Sequence, residues 1–339
     1  MAIELDVHGD DTRRRDAQAP LRRALGPYRL LRRLGVGGMA EVYLAVAHGA
    51  SGFEKKVAIK APLPYVQEDA RLLRLLIEEA RIGAQLQHRN LVQVHDLGVA
   101  DGVYYVRMDF VDGADLRTLM RRGLPGPALG LLIAEELALA LDYVHDAVDE
   151  AGRPLGLVHR DVSPSNVLLS RHGEVKLSDF GIAKATLLAD NTGADTRKGK
   201  YAYMSPEQVE GRALTHRSDQ FALGITLTEM LLGRRPFEGA TPLETMNLIR
   251  SARAPALEGL DRDVKAVVSR CLARAPEDRF PSSEALRQAL AACRSLRGAS
   301  ISQLREWVRA ALQGDLEGVS SSRSATLPIT ATTAGLLDP

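Results

Sequence analysis

The stretch from Val158 to Gly181 constrains this chain more than any other. It reads V-H-R-D-V-S-P-S-N-V-L-L-S-R-H-G-E-V-K-L-S-D-F-G. Asp161 and Asn166 stand five positions apart, and Asp179 follows after a short β-like hairpin. Any one of them alone is a common turn residue. Three metal- or proton-handling groups in so short a span instead suggest a site for a charged, metal-bound substrate. Phosphoryl transfer fits such a set. It asks the protein for little covalent chemistry, but for positioned donors, metal ions against developing charge, and an acceptor for the nucleophile's proton.

The remaining sequence sets limits. A chain of 339 residues buries a large core and tends to divide into two lobes or domains. Its hydrophobic fraction of 45% suits a globular protein, and its formal net charge of +1 gives no global pull toward nucleic acid or membrane. The two cysteines, Cys271 and Cys293, form neither a disulfide framework nor a metal pattern. They read as helix core, in a reducing cytoplasm. No run approaches the roughly 20 apolar residues that span a bilayer. Residues 1–27, with Arg13-Arg14-Arg15, read as a solvated, poorly ordered leader without a signal-peptide core, so structure is expected to start at Tyr28.

Two upstream segments carry chemistry of their own. In Y-R-L-L-R-R-L-G-V-G-G-M-A-E-V-Y-L-A, β-like runs flank Gly35, Gly37 and Gly38. Such glycines let a backbone approach a phosphate with no Cβ in the way. Followed by a helix they would suggest a dinucleotide fold; here a strand follows. Then K-V-A-I-K ends a β-branched strand on Lys60. The next segment, Gln67 to Gln87, has helical periodicity, with Leu72, Leu75, Leu76, Ile82 and Leu86 on one face. Glu79 falls on that apolar face, whereas Glu78 shares its face with Arg71, Arg74 and Arg81. A carboxylate in an apolar stripe is costly unless paired, and Lys60 is the natural partner.

The glycine cluster, V-A-I-K, H-R-D-x₄-N and D-F-G, in this order, resemble the eukaryotic-like protein kinases, and the wording G-G-M-A-E-V-Y and Y-M-S-P-E-Q resembles their bacterial branch. The resemblance covers roughly four fifths of the chain. It implies that Asp161 orients or deprotonates the substrate hydroxyl, and that Asn166 and Asp179 hold Mg²⁺ (Mn²⁺ being the alternative) against ATP. Lys60, held by Glu79, would reach the α- and β-phosphates. Leu34, Gly35, Val36, Gly37 and Gly38 would cover the phosphates, with Val42 on the adenine face and Ala58 and Leu168 enclosing the base. Met108 would be the gatekeeper, the backbones of Asp109 and Val111 would bond the adenine edge, and Asp115 would face the ribose. Glu207 and Arg279 match a family ion pair, and Asp219 the residue that braces the catalytic loop. The third glycine of the family pattern is Ala40 here.

Two further departures stand out. The family's Ser/Thr members usually carry Lys two past the catalytic Asp, where this chain has Ser163. They carry Thr where it has Lys200. A swap is one reading, with Lys200 as the cation near the γ-phosphate and Ser163 its hydroxyl partner; tolerated losses with weaker catalysis are the other. Thr196 and Thr192 are the candidate phosphosites of the activation segment, with Arg160 near them.

The expected fold is therefore α+β and bilobal, a small β-rich N-lobe over 28–111 and a larger α-helical C-lobe over 112–295. An amphipathic helix (301–312, with Trp307) and a Ser/Thr-rich, poorly ordered tail follow, within 296–339. The expected activity is transfer of the ATP γ-phosphoryl group to protein Ser or Thr, with a second copy as a partner for trans-autophosphorylation and no nucleic-acid partner. A pseudokinase scaffold is the alternative, and a small-molecule kinase a third.

Overall fold

The computed structural model describes residues 24–181, 201–253 and 257–321, with side chains to 313. The smaller lobe is an antiparallel sheet of six strands: β1 (Ala24–Leu25), β2 (Tyr28–Val36), β3 (Ala40–His48), β4 (Glu54–Pro62), β5 (Val94–Ala100) and β6 (Val103–Asp109), in the order β1-β2-β3-β4-β6-β5. Alternation along β4 explains how the sheet aims its lysine. Val57, Ile59 and Ala61 join one apolar cluster with Tyr28, Ala45 and Tyr105. Successive side chains on a strand point to opposite faces, so Ala58 and Lys60 are turned the other way, into the cleft.

The helical run after β4 divides. α1 (Pro64–Glu68) and α2 (Ala70–Gln85) are separated by Asp69, whose extended backbone lets its carboxylate accept from the amides of Arg71 and Leu72 at 2.8 and 3.2 Å. An aspartate there gains more as the cap of a new helix than as an interior residue of one continuous helix. α2 packs Leu72, Leu76 and Ala80 inward, Leu76 and Ala80 against Val106.

The larger lobe holds a three-stranded sheet, β7 (Gly113–Asp115), β8 (Val167–Ser170) and β9 (Val175–Leu177), beside α3 (Leu116–Met120). Around it stand α4 (Gly126–His145), α5 (Pro206–Val209), α6 (His216–Leu232), α7 (Pro242–Ser251), α8 (Arg262–Cys271), α9 (Ser283–Ser295) and α10 (Ile301–Ser321). α4 and α6 are apolar on most sides and lie in the core. Cys271 and Cys293 are free and buried in that core.

Two expectations change. Strand pairing is present ahead of Tyr28, because β1 adds to the edge of β2 at Ala24 and Leu25. The run 91–94 belongs mostly outside the sheet of the small lobe: Leu91 bridges Leu177, and the amide of Val92 donates to the Leu177 carbonyl at 2.9 Å. Backbone contacts of Leu91 and Val92 tie the two lobes at β9 instead. Finally, α10 is longer than expected. Leu304 and Val308 are fully buried in the core of the larger lobe, where α10 meets α3, β7 and β8, with Trp307 packed on it. Residues 1–23, 182–200, 254–256 and 322–339 lie outside the described residues, so the leader, the tail, Lys200, Thr192 and Thr196 do too.

Candidate active site

The site is built from the loop between α4 and β8. Its backbone is held from below by α6. Asp219 Oδ2 accepts from the amide of His159 and Oδ1 from that of Arg160, both at 2.8 Å. His145 Nε2 lies 2.8 Å from the same carboxylate, and its Nδ1 is 3.0 Å from Ser283 Oγ. Burial alone would raise the pKa of Asp219, but the contacts with His145 and His159 outweigh it and hold it below the usual aspartate value. The brace was legible in the sequence; its partner His145 was not, because a histidine in the last turn of an apolar helix carries no signal that it faces α6.

With its backbone so held, Arg160 adopts φ +69°, a left-handed conformation uncommon outside glycine. Asp161 follows, and Asn166 reaches back to it: Nδ2 donates to the Asp161 carbonyl at 2.8 Å and to its carboxylate. The Asn166 carbonyl in turn accepts from the amide and hydroxyl of Ser178, at 2.8 and 3.1 Å. The hairpin thus returns Asp179 beside Asn166. Asp179 also has positive φ, +58°. Two non-glycine residues in this region within one site mark backbone strain that the surrounding bonds sustain. Gly181 closes the unit. Its amide donates to the His159 carbonyl at 2.8 Å, and a Cβ there would stand 2.9 Å from Asp161 Cβ, so only glycine fits. Phe180 packs against the His159 ring, centroids 4.8 Å apart.

From the other lobe, Lys60 Nζ lies 2.8 Å from Glu79 Oε1 and 2.5 Å from Asp179 Oδ1. Glu79, not Glu78, is therefore the paired, part-buried carboxylate; Glu78 is exposed. Burial would depress the Lys60 ammonium, yet Asp179 and Glu79 outweigh it and raise its pKa above the ordinary lysine value.

The remaining expected residues line the same cleft. Gly35 pairs with Val42 and Val36 with Glu41 across the glycine turn, and the amide of Gly37 donates to the Ala40 carbonyl at 2.8 Å. Leu34 and Val36 are exposed, at 37% and 57%. Tyr65 donates its hydroxyl hydrogen to the Gly38 carbonyl, a tether from α1 that the sequence did not announce. Met108 is buried opposite Ala58. The amide of Asp109 is taken by the Gln93 carbonyl at 3.0 Å, and its carboxylate by His95 at 2.7 Å. Val111 and Leu168 are half-buried, Leu168 paired with Asp115. Both carboxylate oxygens of Asp115 bond Thr118, Oδ1 with its amide at 2.9 Å and Oδ2 with its hydroxyl at 2.7 Å. It caps α3 as well as lying near the cleft. Ser163 is buried at 6% exposure, at the start of the Pro164–Asn166 turn.

Below the loop, Arg279 grips Glu207 through two bonds of 2.7 and 2.9 Å, with the pair almost fully buried. Burial would raise Glu207, but the Arg279 guanidinium and the Ser218 hydroxyl bring its pKa below the usual carboxylate value. The ledge Tyr201–Ser205 above this pair is fixed by Tyr203, which bonds Glu229 and receives Arg117 Nη2 at 3.2 Å.

A family model described as Protein kinase domain matches residues 28–290. Among curated proteins, Tyrosine-protein kinase MasK of Myxococcus xanthus is 41% identical over 281 residues, covering 80% of this chain and 43% of that protein. Serine/threonine-protein kinase PrkC of Bacillus subtilis is 33% identical, over 78% of this chain and 40% of its own length. The chain thus spans less than half the length of these two relatives. Among solved structures, the Mycobacterium tuberculosis PknI kinase domain matches with a TM-score of 0.56 and 30% identity, over 80% of this chain and 97% of that one.

Proposed function

The chain belongs to the protein kinase family, and from that premise we propose that it transfers the γ-phosphoryl group of ATP to serine or threonine hydroxyls of proteins. The convergence of Lys60, Asp161, Asn166 and Asp179 from both lobes carries the reading. Asp161 orients the acceptor hydroxyl and takes its proton, held to that task by the Asn166 side chain. Lys60 pairs with the α- and β-phosphates of ATP, aimed by Glu79. Leu34 to Gly38 cover the phosphates. The base lies among Val42, Ala58 and Leu168 in front of Met108, its edge bonded by the backbones of Asp109 and Val111, with Asp115 toward the ribose.

The donor set also suits Mg²⁺. Asn166 turns its amide nitrogen toward Asp161, which directs its carbonyl oxygen the other way. With the Asp179 carboxylate it forms a pair of hard oxygen donors, the kind this ion prefers. Bound there, the ion would neutralise charge on the phosphates. Among the described residues no helix is long and apolar enough to cross a membrane. Autophosphorylation at Thr196 or Thr192, in trans between two copies, and the kinase domain boundaries of 28 and 295 belong to the same proposal. So does the swap, in which Lys200 supplies the cation that Ser163 replaces.

Turnover of ATP·Mg²⁺ on the protein itself and on a generic basic protein, beside Asp161→Asn, tests this. Wild type is expected to label Ser or Thr, and the variant to lose on the order of 10² or more in rate. ATP binding with no transfer by either would replace the reading with a nucleotide-binding scaffold. A second reading, tyrosine as acceptor, is favoured by the name of the Myxococcus relative. The V-S-P-S that follows Asp161 argues against it, and phosphoamino-acid analysis of the product decides.

A further inference from the structure

α10 reaches the catalytic hairpin as well as the core. Ser300 starts the helix in a reciprocal cap: the Gln303 amide donates to Ser300 Oγ at 3.3 Å, and the Ser300 amide to Gln303 Oε1 at 2.9 Å. The helix then lies against α3, β7 and β8. Ile301, Arg305 and Arg309, spaced four apart, share one side of it and meet the turn that joins β8 to β9. Arg305 Nε donates to the His172 carbonyl at 3.4 Å, and Arg309 Nε to the Arg171 carbonyl at 3.0 Å. Gly173, in the same turn, is buried with φ +85°, and a Cβ on it would stand 2.9 Å from Ile301 Cγ2. The left-handed backbone and the close approach of α10 both call for glycine there.

This turn is the far end of the hairpin that carries Asn166 at one foot and Asp179 at the other. β8 starts at Val167, directly after Asn166, and β9 ends at Leu177, just before Ser178 and Asp179. The strands are only 4 and 3 residues long, and their neighbour β7 has 3. Ladders so short hold weakly by themselves. Within the turn, Ser170 Oγ accepts from the amides of His172 and Glu174 at 3.2 and 3.1 Å. Those bonds close the turn but do not set where it points. α10 ties its tip from outside the sheet.

We propose that Arg305 and Arg309 are positioning residues of the site: by pinning the β8–β9 turn they hold Asn166 and Asp179 at the spacing that Mg²⁺ requires. The proposal rests on the kinase reading and places part of its control beyond residues 28–290, which the family model matches. The two arginines touch neither nucleotide nor acceptor and act through the hairpin backbone. Both are exposed, so their bonds add little to global stability. Mg²⁺, however, demands near-ideal octahedral geometry, so a small displacement of one donor weakens its hold.

Arg305→Met/Arg309→Met in the full chain provides the test, because it removes both donors and keeps the apolar stems. Hydrogen exchange of the β8 and β9 amides is expected to quicken at least about tenfold, with that of α4 unchanged. ATP affinity, measured by calorimetric titration, is expected to fall at least about fivefold with Mg²⁺ and less than about twofold in EDTA. Unchanged exchange in the hairpin, or an equal rise across the whole larger lobe, would overturn the proposal. So would an ATP affinity that falls equally with and without Mg²⁺, one that does not fall, or a wild type whose ATP binding ignores Mg²⁺. If the wild type transfers no phosphate to any protein, the transfer reading has failed, and exchange and Mg²⁺-dependent ATP binding still decide this one.

Discussion

On the larger lobe's side of the cleft, every catalytic group is tied to a neighbour by bonds internal to the protein. Asp219 holds two amides, Asn166 holds Asp161, Ser178 holds Asn166, and Gly181 holds the His159 carbonyl. On the smaller lobe's side, the glycine turn projects exposed Leu34 and Val36, and Lys60 meets the other lobe through its ion pair with Asp179. Buried, satisfied polar networks resist displacement, because opening one leaves groups unpaired in low dielectric. Exposed turns carry no such penalty. The floor of this site is therefore set by folding itself, and the roof by charges that a bound nucleotide would share. The two regions should fail differently: damage to the floor's support should cost stability, and damage to the roof should cost substrate affinity and rate.

Arg279→Met is the largest expected effect. It leaves Glu207 buried without its partner, which costs about 3–5 kcal/mol, measured by denaturant unfolding. The pH dependence has a definite sign. In the wild type Glu207 titrates below its unfolded value, so its contribution is present above about pH 4.3 and is lost as pH falls through the folded pKa. In the variant the Ser218 hydroxyl remains but the guanidinium no longer opposes burial, so Glu207 is easier to protonate than in the wild type and the penalty should shrink on acidification. Pairing the change with Glu207→Gln should recover much of the loss. A variant as stable as wild type at pH 7 would mean that the floor does not depend on this pair.

Glu79→Gln probes the roof. Lys60 would keep Asp179 as a partner, so the fold should hold, while the lysine loses its aim toward the phosphates. Transfer rate is expected to fall by up to about 10²-fold, with unfolding midpoint nearly unchanged. A loss of stability as large as that of Arg279→Met would erase the distinction between the two regions.

How far the sequence disclosed this division follows from the range of the forces involved. Asp161, Asn166 and Asp179 were legible because they lie within one short stretch, and Glu79 because helical periodicity separates it from Glu78. The α+β, two-lobed fold was legible through the family resemblance that these motifs carry. What escaped was long-range or backbone-borne. Nothing local marks His145 as the partner of Asp219, 74 residues away. Nothing local marks the Leu91–Leu177 bridge either. The burial of Leu304 and Val308 against the main core required knowing where α10 would lie, since amphipathicity states that a face is covered but not by what.

The smallest expected effect belongs to Tyr65. Its hydroxyl is the side-chain tether on the Gly38 carbonyl, and it is 47% exposed. The backbone bond from the Leu63 amide to the Met39 carbonyl, 2.9 Å, remains when the hydroxyl is removed. Tyr65→Phe should therefore release only one exposed bond, worth about 0.5–1.5 kcal/mol at most, lower the unfolding midpoint only slightly, and raise the KM for ATP by less than about tenfold. A larger rise would show that the glycine turn is pre-shaped by α1 and that the roof, like the floor, is partly built by folding. No change in KM would leave its shape to the nucleotide, and the contrast between the two sides of the cleft would be sharper still.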